Sequence, residues 1–354
     1  FVLRQGSADA QFALWRDAFS AFEAEASQRM WLVKPGEGGN RGSGIKICNN
    51  IADVAARVDS KKKVWVVQKY IERPLLVHKR KFDIRAYCLV LQEPRGGPLR
   101  AFCFRDAYLR TTSAQYTTKK FDKMIHLNND AVQKHGEDYG KFESANKMSL
   151  DEFQRYVNEQ HAKEAFDVRG QLMPQISSLM ADAVRAVSSR LNPRGIDHCF
   201  EVFGFDFMVD ASFRCWMIEC NANPCLELCS AYLSHVIPSM LDQALSLVLS
   251  RFSPQDSAGD GTQGGHGGHC GEGGTRWDPI FSSDANGDDE TVSSSWLESL
   301  PEGFASGDAE SPTGTCLLGR KILCLKSKSL AKRKGSGADL AAAEACRELA
   351  ASLN

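Results

Sequence analysis

The sequence has 354 residues, 43% of them hydrophobic and 25% charged, which supplies a real core and excludes a chain that is disordered throughout. Its 43 Lys and Arg against 44 Asp and Glu give a formal net charge of −1, so no global basic field argues for nucleic acid. No apolar run reaches the ~18 residues of a membrane span and no charged-then-apolar leader is read, while 12 cysteines without a C-x-x-C pair suit reduced, cytosolic thiols. The first residue is Phe1, from which an N-terminal portion is expected to be missing.

Residues 11–26 place Phe12, Trp15, Phe19 and Phe22 at spacings of three and four, a helix with one apolar stripe. Residues 30–35 (MWLVKP) form a short apolar strand ending in Lys34, and residues 45–48 form a second strand. The glycine-rich run 36–44 lies between them. Glycine lets backbone N–H groups approach phosphates closely, yet the run has neither Walker A nor Rossmann order, and a flexible connection is an equally simple reading. Lys61, Lys62 and Lys63 make a solvated turn before a strand over 64–71, whose end offers backbone groups to an adenine edge.

Beyond Pro74, Lys81, Asp83 and Arg85 alternate with Phe82, Ile84 and Ala86. A period of two puts the three charges on one strand face, either as the guard of an edge strand or as a phosphate clamp in which Asp83 holds two cations in register. Residues 92–98 are a turn and 99–104 its return strand, which delivers Arg105 and then Arg110. His126, alone, reads as a hydrogen-bonded structural residue. Helical patterns follow at 149–164 and 171–190, and an apolar helix at 234–252.

The stretch 200–224 (FEVFGFDFMVDASFRCWMIECNANP) reads as a β-hairpin. Asp206 alternates with the phenylalanines and so points to an open face, while Glu219 and Asn221 share a face. A connection of even length within residues 210–214 places Asp206 and Glu219 on the same sheet face, and a four-residue loop places them directly opposite. Two facing carboxylates repel unless a divalent cation lies between them, and Asp, Glu and an Asn carbonyl are the hard oxygen ligands that Mg²⁺ takes together with nucleotide phosphates. A hairpin whose wet face merely carries acids is the plainer alternative.

From residue 253 the composition changes. Nine of the sixteen residues 259–274 are glycine, and serine-rich and acidic runs follow, so 253–354 is expected to be a low-complexity, largely disordered tail behind a folded unit over 1–252. His266, His269 and Cys270 in that glycine tract suggest no metal site, and the basic run 326–334 with its short Ala-rich helix suggests no chemistry.

Several of these motifs, in this order, resemble the tubulin-tyrosine ligase and ligase-like family. They are Trp31-Leu32-Val33-Lys34-Pro35, Gln68-Lys69-Tyr70-Ile71, Arg80-Lys81-Phe82-Asp83-Ile84-Arg85, Leu109-Arg110-Thr111, His126-Leu127-Asn128-Asn129, Tyr139-Gly140-Lys141, Phe203-Gly204-Phe205-Asp206 and Ile218-Glu219-Cys220-Asn221. The resemblance covers residues 12–252 and implies an α+β, ATP-grasp fold in which two subdomains close on ATP and Mg²⁺. By the same resemblance Lys34 and Lys81 contact phosphate, and Gln68, Lys69, Tyr70 and Ile71 frame the adenine. Asp83 and Asn129 complete the nucleotide side. Arg85 lines the acceptor side with Asp83, Arg105 and Arg110 hold carboxylates of the amino acid or peptide, and Asp206, Glu219 and Asn221 hold the metal.

The reaction so implied is ATP-dependent ligation: a carboxylate of tubulin becomes an acyl phosphate, and the amine of free tyrosine, glutamate or glycine displaces the phosphate. The implied partner is the acidic tubulin tail, and the implied setting a cytoplasmic monomer at the cytoskeleton or cilium. An ATP-grasp ligase acting on another peptide, or a non-catalytic microtubule-binding relative, are the alternatives. The family commonly has threonine at Asn128 and valine or isoleucine at Cys220, and its smaller N-terminal domain is expected to be absent.

Overall fold

A computed structural model describes residues 1–23, 30–36, 42, 44–61, 63–252 and 275–284. Most of the glycine-rich run, Lys62, the His266–His269–Cys270 group and the basic run 326–334 lie outside the described residues.

A small antiparallel sheet comes first, from β1 (Val2–Leu3), β2 (Trp31–Pro35), β3 (Lys46–Cys48) and β4 (Trp65–Lys69), in the order β1-β4-β2-β3. Helices α1 (Ala10–Glu23) and α2 (Ile51–Asp59) pack on it. The predicted stripe of α1 is real for Phe12, Trp15 and Phe19, which are buried against Trp31 and Val33, with Trp15 edge-on to Trp31 at 5.9 Å. The Asn50 side chain caps α2 by accepting from the backbone N–H of Asp53 at 2.8 Å, and its Val54 and Val58 close the same core.

The large sheet contains β5 (Leu76–Val77), β6 (Arg80–Gln92), β7 (Leu99–Gln115), β8 (Lys147–Ser149), β9 (Phe200–Val209), β10 (Cys215–Ala222) and β11 (Trp277–Ser282). Its path is β10-β9-β6-β7-β11, all antiparallel, with β5 on the start of β6 and β8 on the second half of β7. Short helices α3 (Lys123–His126) and α4 (Asp130–Gln133) lie between β7 and β8. Helix α5 (Leu150–Gln160) begins in a capping box between Ser149 and Glu152, and α6 (Met173–Leu191) grows from a π-helical turn at Val168–Leu172. Helix α7 is Ala231–Phe252.

Strand β6 decides where a site can form. Its even-numbered residues Phe82, Ile84, Ala86, Cys88 and Val90 pack beneath Phe153 and Val157 of α5 and Ile176 and Met180 of α6. On the odd face Tyr87, Leu89 and Leu91 pack beneath Leu233, Val236 and Met240 of α7. The charged part of that odd face, Lys81 to Arg85, lies outside the α7 cluster. The edge-strand reading of these charges is therefore wrong: β6 is central, flanked by β9 and β7.

The tail expectation also needs correction at one segment. Residues 277–282 are not part of a disordered tail but strand β11, paired with the first half of β7 from Trp277↔Phe104 to Ser282↔Arg100. Trp277 is 2% exposed and packs on Phe104 at 5.1 Å. Arg276, just before the strand, reaches the buried carboxylate of Asp106 at 2.7 Å. A composition average over 253–354 hides Trp277, whose indole outweighs the cost of ordering a few polar neighbours.

Candidate active site

The hairpin of β9 and β10 sets Asp206 directly opposite Glu219, as anticipated, by a different route. Val209 pairs with Cys215, so the connection has five residues, an odd number that alone would put Ile218 opposite Asp206. A β-bulge between Met217 and Glu219 inserts the extra residue and restores the carboxylate pairing. The Asn221 amide then points its nitrogen at both acids, 3.3 Å from Asp206 Oδ2 and 3.3 Å from Glu219 Oε1, and at the carbonyl of Gly204. Turning that amide over brings its oxygen to the same point.

Asp206 does not occupy an open face. It is 3% exposed, closed in by two arginines. Arg85 Nε donates to its Oδ1 at 2.6 Å, and Arg110 Nη2 to its Oδ2 at 2.9 Å. Arg110 also grips Asp83 through two bonds of 2.7 and 2.8 Å. Strand register explains the cluster: Asp83 faces Arg110 across β6–β7, and Arg85 faces Asp206 across β6–β9. Burial pushes the Asp206 carboxyl up, but Arg110 and Arg85 outweigh it and hold the group below the usual carboxylate range. For Asp83 burial prevails over Arg110 and its carboxyl is raised. Gly204 makes the arginine packing possible, because a Cβ there would stand 2.6 Å from Pro224 Cβ and 3.2 Å from Arg85 Cδ.

Farther along β6, Lys81 is 5% exposed, its amine donating to the carbonyl of His126 at 2.6 Å and lying 5.2 Å over the Tyr70 ring. Burial, opposed by Asp83 and reinforced by the Lys34 charge, brings its pKa down to about 8. The two lysines predicted to meet phosphate thus come from different sheets, Lys34 from β2 and Lys81 from β6, and are close enough for their charges to interact.

At the end of β4, Gln68 pairs with Leu32 in the small sheet. Lys69 turns inward, its amine donating to the carbonyls of Met30 and Tyr70 and to Glu72 Oε1. That fixes the turn of Tyr70 and Ile71. The Tyr70 hydroxyl meets His126 Nδ1 at 2.7 Å. Asn129 precedes α4, and its Oδ1 lies 3.2 Å from where a Cβ on Gly42 would stand; Gly42 itself takes φ +77°, which favours glycine.

Two predictions about β7 change. The return strand does not stop at Phe104 but runs to Gln115, so Arg105 and Arg110 lie on one strand at an odd separation and face opposite ways. Arg110 enters the acidic cluster, whereas Arg105 is exposed and pairs with Asp278 of β11 at 2.7 Å. The structure does not bring Arg105 to the site.

Two further participants lie within the quoted motifs, but their partners are distant in sequence. Asn128, the departure at the usual threonine, donates from Nδ2 to the carbonyls of Lys81 and Arg110 at 3.1 and 2.9 Å, clamping the strands that carry both cations. Arg80, buried beside Lys81, is held by Glu143 and by Thr111. These partners are 18 to 63 residues apart in sequence, beyond any periodicity.

Asp206 and Glu219 face each other at one register position, with the Asn221 amide, opposite Gly204, reaching both; two carboxylates and an amide that can turn its oxygen inward are a hard donor set that fits Mg²⁺. Among the described residues no three His, Cys, Asp or Glu side chains form a metal group.

Comparison with known proteins gives a match to the model of the tubulin-tyrosine ligase family over residues 8–257. The chain is 32% identical over 222 residues to tubulin glycylase 3C of Tetrahymena thermophila, covering 62% of this chain and 20% of that protein. It is 30% identical over 257 residues to tubulin monoglycylase TTLL3 of Danio rerio, covering 70% of this chain and 32% of the relative. To the Homo sapiens TTLL3 it is 30% identical over 238 residues, 65% of this chain and 30% of the relative. The chain thus spans a third or less of the length of these relatives.

Proposed function

Because the chain belongs to the tubulin-tyrosine ligase family, we propose that it forms the ATP-grasp catalytic part of an ATP- and Mg²⁺-dependent ligase that joins glycine to a carboxylate on the acidic tail of tubulin. Glycine is preferred over tyrosine or glutamate because the relatives cited above are named as glycylases. The observation that carries the reading is the junction itself: Lys81 at one end of the odd face of β6, within reach of the charge of Lys34 on β2, and the Arg85–Asp206–Arg110–Asp83 cluster with Glu219 and Asn221 at the other.

The two subdomains of an ATP-grasp fold correspond to the small and large sheets, with adenine at Gln68, Lys69, Tyr70 and Ile71 and phosphates between Lys34 and Lys81. Asp206, Glu219 and Asn221 would hold Mg²⁺, which when bound neutralises phosphate charge. Arg85 and Arg110 offer guanidinium edges to a carboxylate. Asp83 and Asp206 fix the planes of those edges, so that little reorganisation accompanies charge development. Chemically, a tubulin carboxylate oxygen takes the terminal phosphoryl group of ATP with ADP leaving. The glycine amine then attacks the acyl carbon, phosphate departs, and the amine proton is lost to solvent. No nucleophilic side chain is required, since the residues act by positioning and charge neutralisation. A free amino acid, a monomer and a cytoskeletal or ciliary setting complete the proposal; among the described residues no helix is long and apolar enough to cross a membrane.

The test is ADP release coupled to glycine transfer in Glu219→Gln. Loss of both with unchanged far-UV and near-UV circular dichroism supports the reading. Turnover near wild type at limiting Mg²⁺ removes the metal assignment.

A further inference from the structure

His126 uses both ring nitrogens and its backbone oxygen on groups from three separate places. Its Nε2 is 2.6 Å from the carbonyl of Lys120, and since a carbonyl only accepts, Nε2 carries the proton. Nδ1 then presents a lone pair, and the Tyr70 hydroxyl donates to it at 2.7 Å. The His126 carbonyl takes the amine of Lys81 at 2.6 Å. The ring is 1% exposed and stands edge-on to both Tyr70, at 5.4 Å, and Tyr116, at 5.8 Å.

The segment around it is itself pinned. Gln133 Nε2 donates to the carbonyls of Met124 and Leu127 at 3.1 and 2.7 Å, and Asn128 ties the next residue to Lys81 and Arg110. Tyr70 follows β4 of the small sheet, whereas Lys81 is near the start of β6 in the large one. A packing role would be met by any flat ring of this size. It does not account for hydrogen bonds at both ring nitrogens, which fix the backbone whose carbonyl meets the buried ammonium.

We infer that His126 is a positioning residue that holds the Tyr70 ring and the Lys81 amine in fixed relation across the junction of the two sheets. Its consequence for nucleotide rests on the reading above, in which Tyr70 borders adenine and Lys81 meets phosphate. Its consequence for the lysine does not.

Three variants separate the contacts. His126→Asn keeps an acceptor where Nδ1 lies, His126→Gln keeps a donor where Nε2 lies, and His126→Phe keeps only the ring. Two readouts are taken on the whole chain: affinity for ATP by calorimetry, and the acylation rate of Lys81 by an N-hydroxysuccinimide ester, followed by peptide mass spectrometry. His126→Phe is expected to weaken ATP about fivefold, the worth of one neutral hydrogen bond, and to acylate Lys81 faster. His126→Asn is expected to restore both and His126→Gln neither. If His126→Phe fails to fold, Tyr70→Phe, which deletes only the hydroxyl, should show the same two changes. His126→Phe equal to wild type in both readouts overturns the inference, as does Tyr70→Phe equal to wild type. Wild-type protein that does not bind ATP, with the acylation pattern intact, refutes the nucleotide reading and leaves the positioning role standing.

Discussion

Strand β11 gives the sharpest stability prediction, because it concerns a segment that composition assigns to a dispensable tail. Trp277 is 2% exposed within the cluster formed by Phe104 and α7. Burying a tryptophan removes roughly 150–250 Å² from water, worth about 4–6 kcal/mol at ~25 cal/mol/Å². Among the described residues its buried indole N–H has no hydrogen-bond partner, which offsets ~1–3 kcal/mol of that gain. Trp277→Ala should therefore lower unfolding free energy by about 3 kcal/mol, the low end of the range for buried Trp truncations. Ending the chain at Phe252 should lower it further, because Asp106 also loses Arg276 and Arg105 loses Asp278. Urea unfolding followed by circular dichroism, with the slope checked for constancy, measures both. A truncated chain within ~0.5 kcal/mol of the intact one, inside the scatter of neutral surface changes, would refute the role given to β11.

Other outcomes follow from the site. Asp206→Asn leaves Arg85 and Arg110 facing an uncharged amide, so it should destabilise the fold by about 3–5 kcal/mol, the usual result of breaking a buried ion pair, whereas Glu219→Gln should leave the urea midpoint nearly unchanged. The lowered pKa of Lys81, about 8, means the native amine is charged below that pH and neutral above it, while the unfolded amine stays charged up to its ordinary value. ATP affinity should accordingly fall as pH rises through about 8, while stability of the nucleotide-free protein should rise from about pH 8 toward the ordinary lysine value of 10.5. Lys81→Arg should flatten the affinity profile, and a wild-type profile flat from pH 7 to 9 contradicts the phosphate role. The exposed Lys119, Lys120 and Lys123 suit an acidic acceptor. The apparent KM for tubulin should then rise steeply with salt, over a Debye length of about 8 Å at physiological strength, while that for ATP changes less. Reversing the three charges without effect on acceptor kinetics removes them from the interface.

Much of the site was legible because strands expose their chemistry by parity. Lys81, Asp83 and Arg85 share a face by alternation, and Asp206 and Glu219 were paired by arguing from the hairpin. What parity could not supply was the bulge at the Met217–Glu219 step, which compensates an odd connection. Nor could it supply the burial of Asp206, since the arginines that enclose it arrive from β6 and β7 through long-range pairing. Arg105 was misjudged by ending a strand too early: the register irregularity where β7 passes Ala86 and Cys88 carries Asp106, and a charged residue inside a strand reads as a break. His126 was correctly read as hydrogen-bonded, but its three partners lie up to 56 residues away, so its place at the junction had no local signature. Strand β11 was lost by averaging over a polar tail.

The central claim is that this cluster of Lys, Arg, Asp, Glu and Asn performs ATP-driven transfer of glycine to tubulin. The direct measurement is incorporation of radiolabelled glycine into purified tubulin by the full-length protein, with ATP and Mg²⁺, run beside labelled glutamate and tyrosine and beside Glu219→Gln. The account predicts glycine incorporation that needs ATP, exceeds that of the other two amino acids and vanishes in Glu219→Gln. Preferential incorporation of glutamate or tyrosine would contradict the substrate assignment, and ATP-dependent labelling that survives Glu219→Gln would contradict the site.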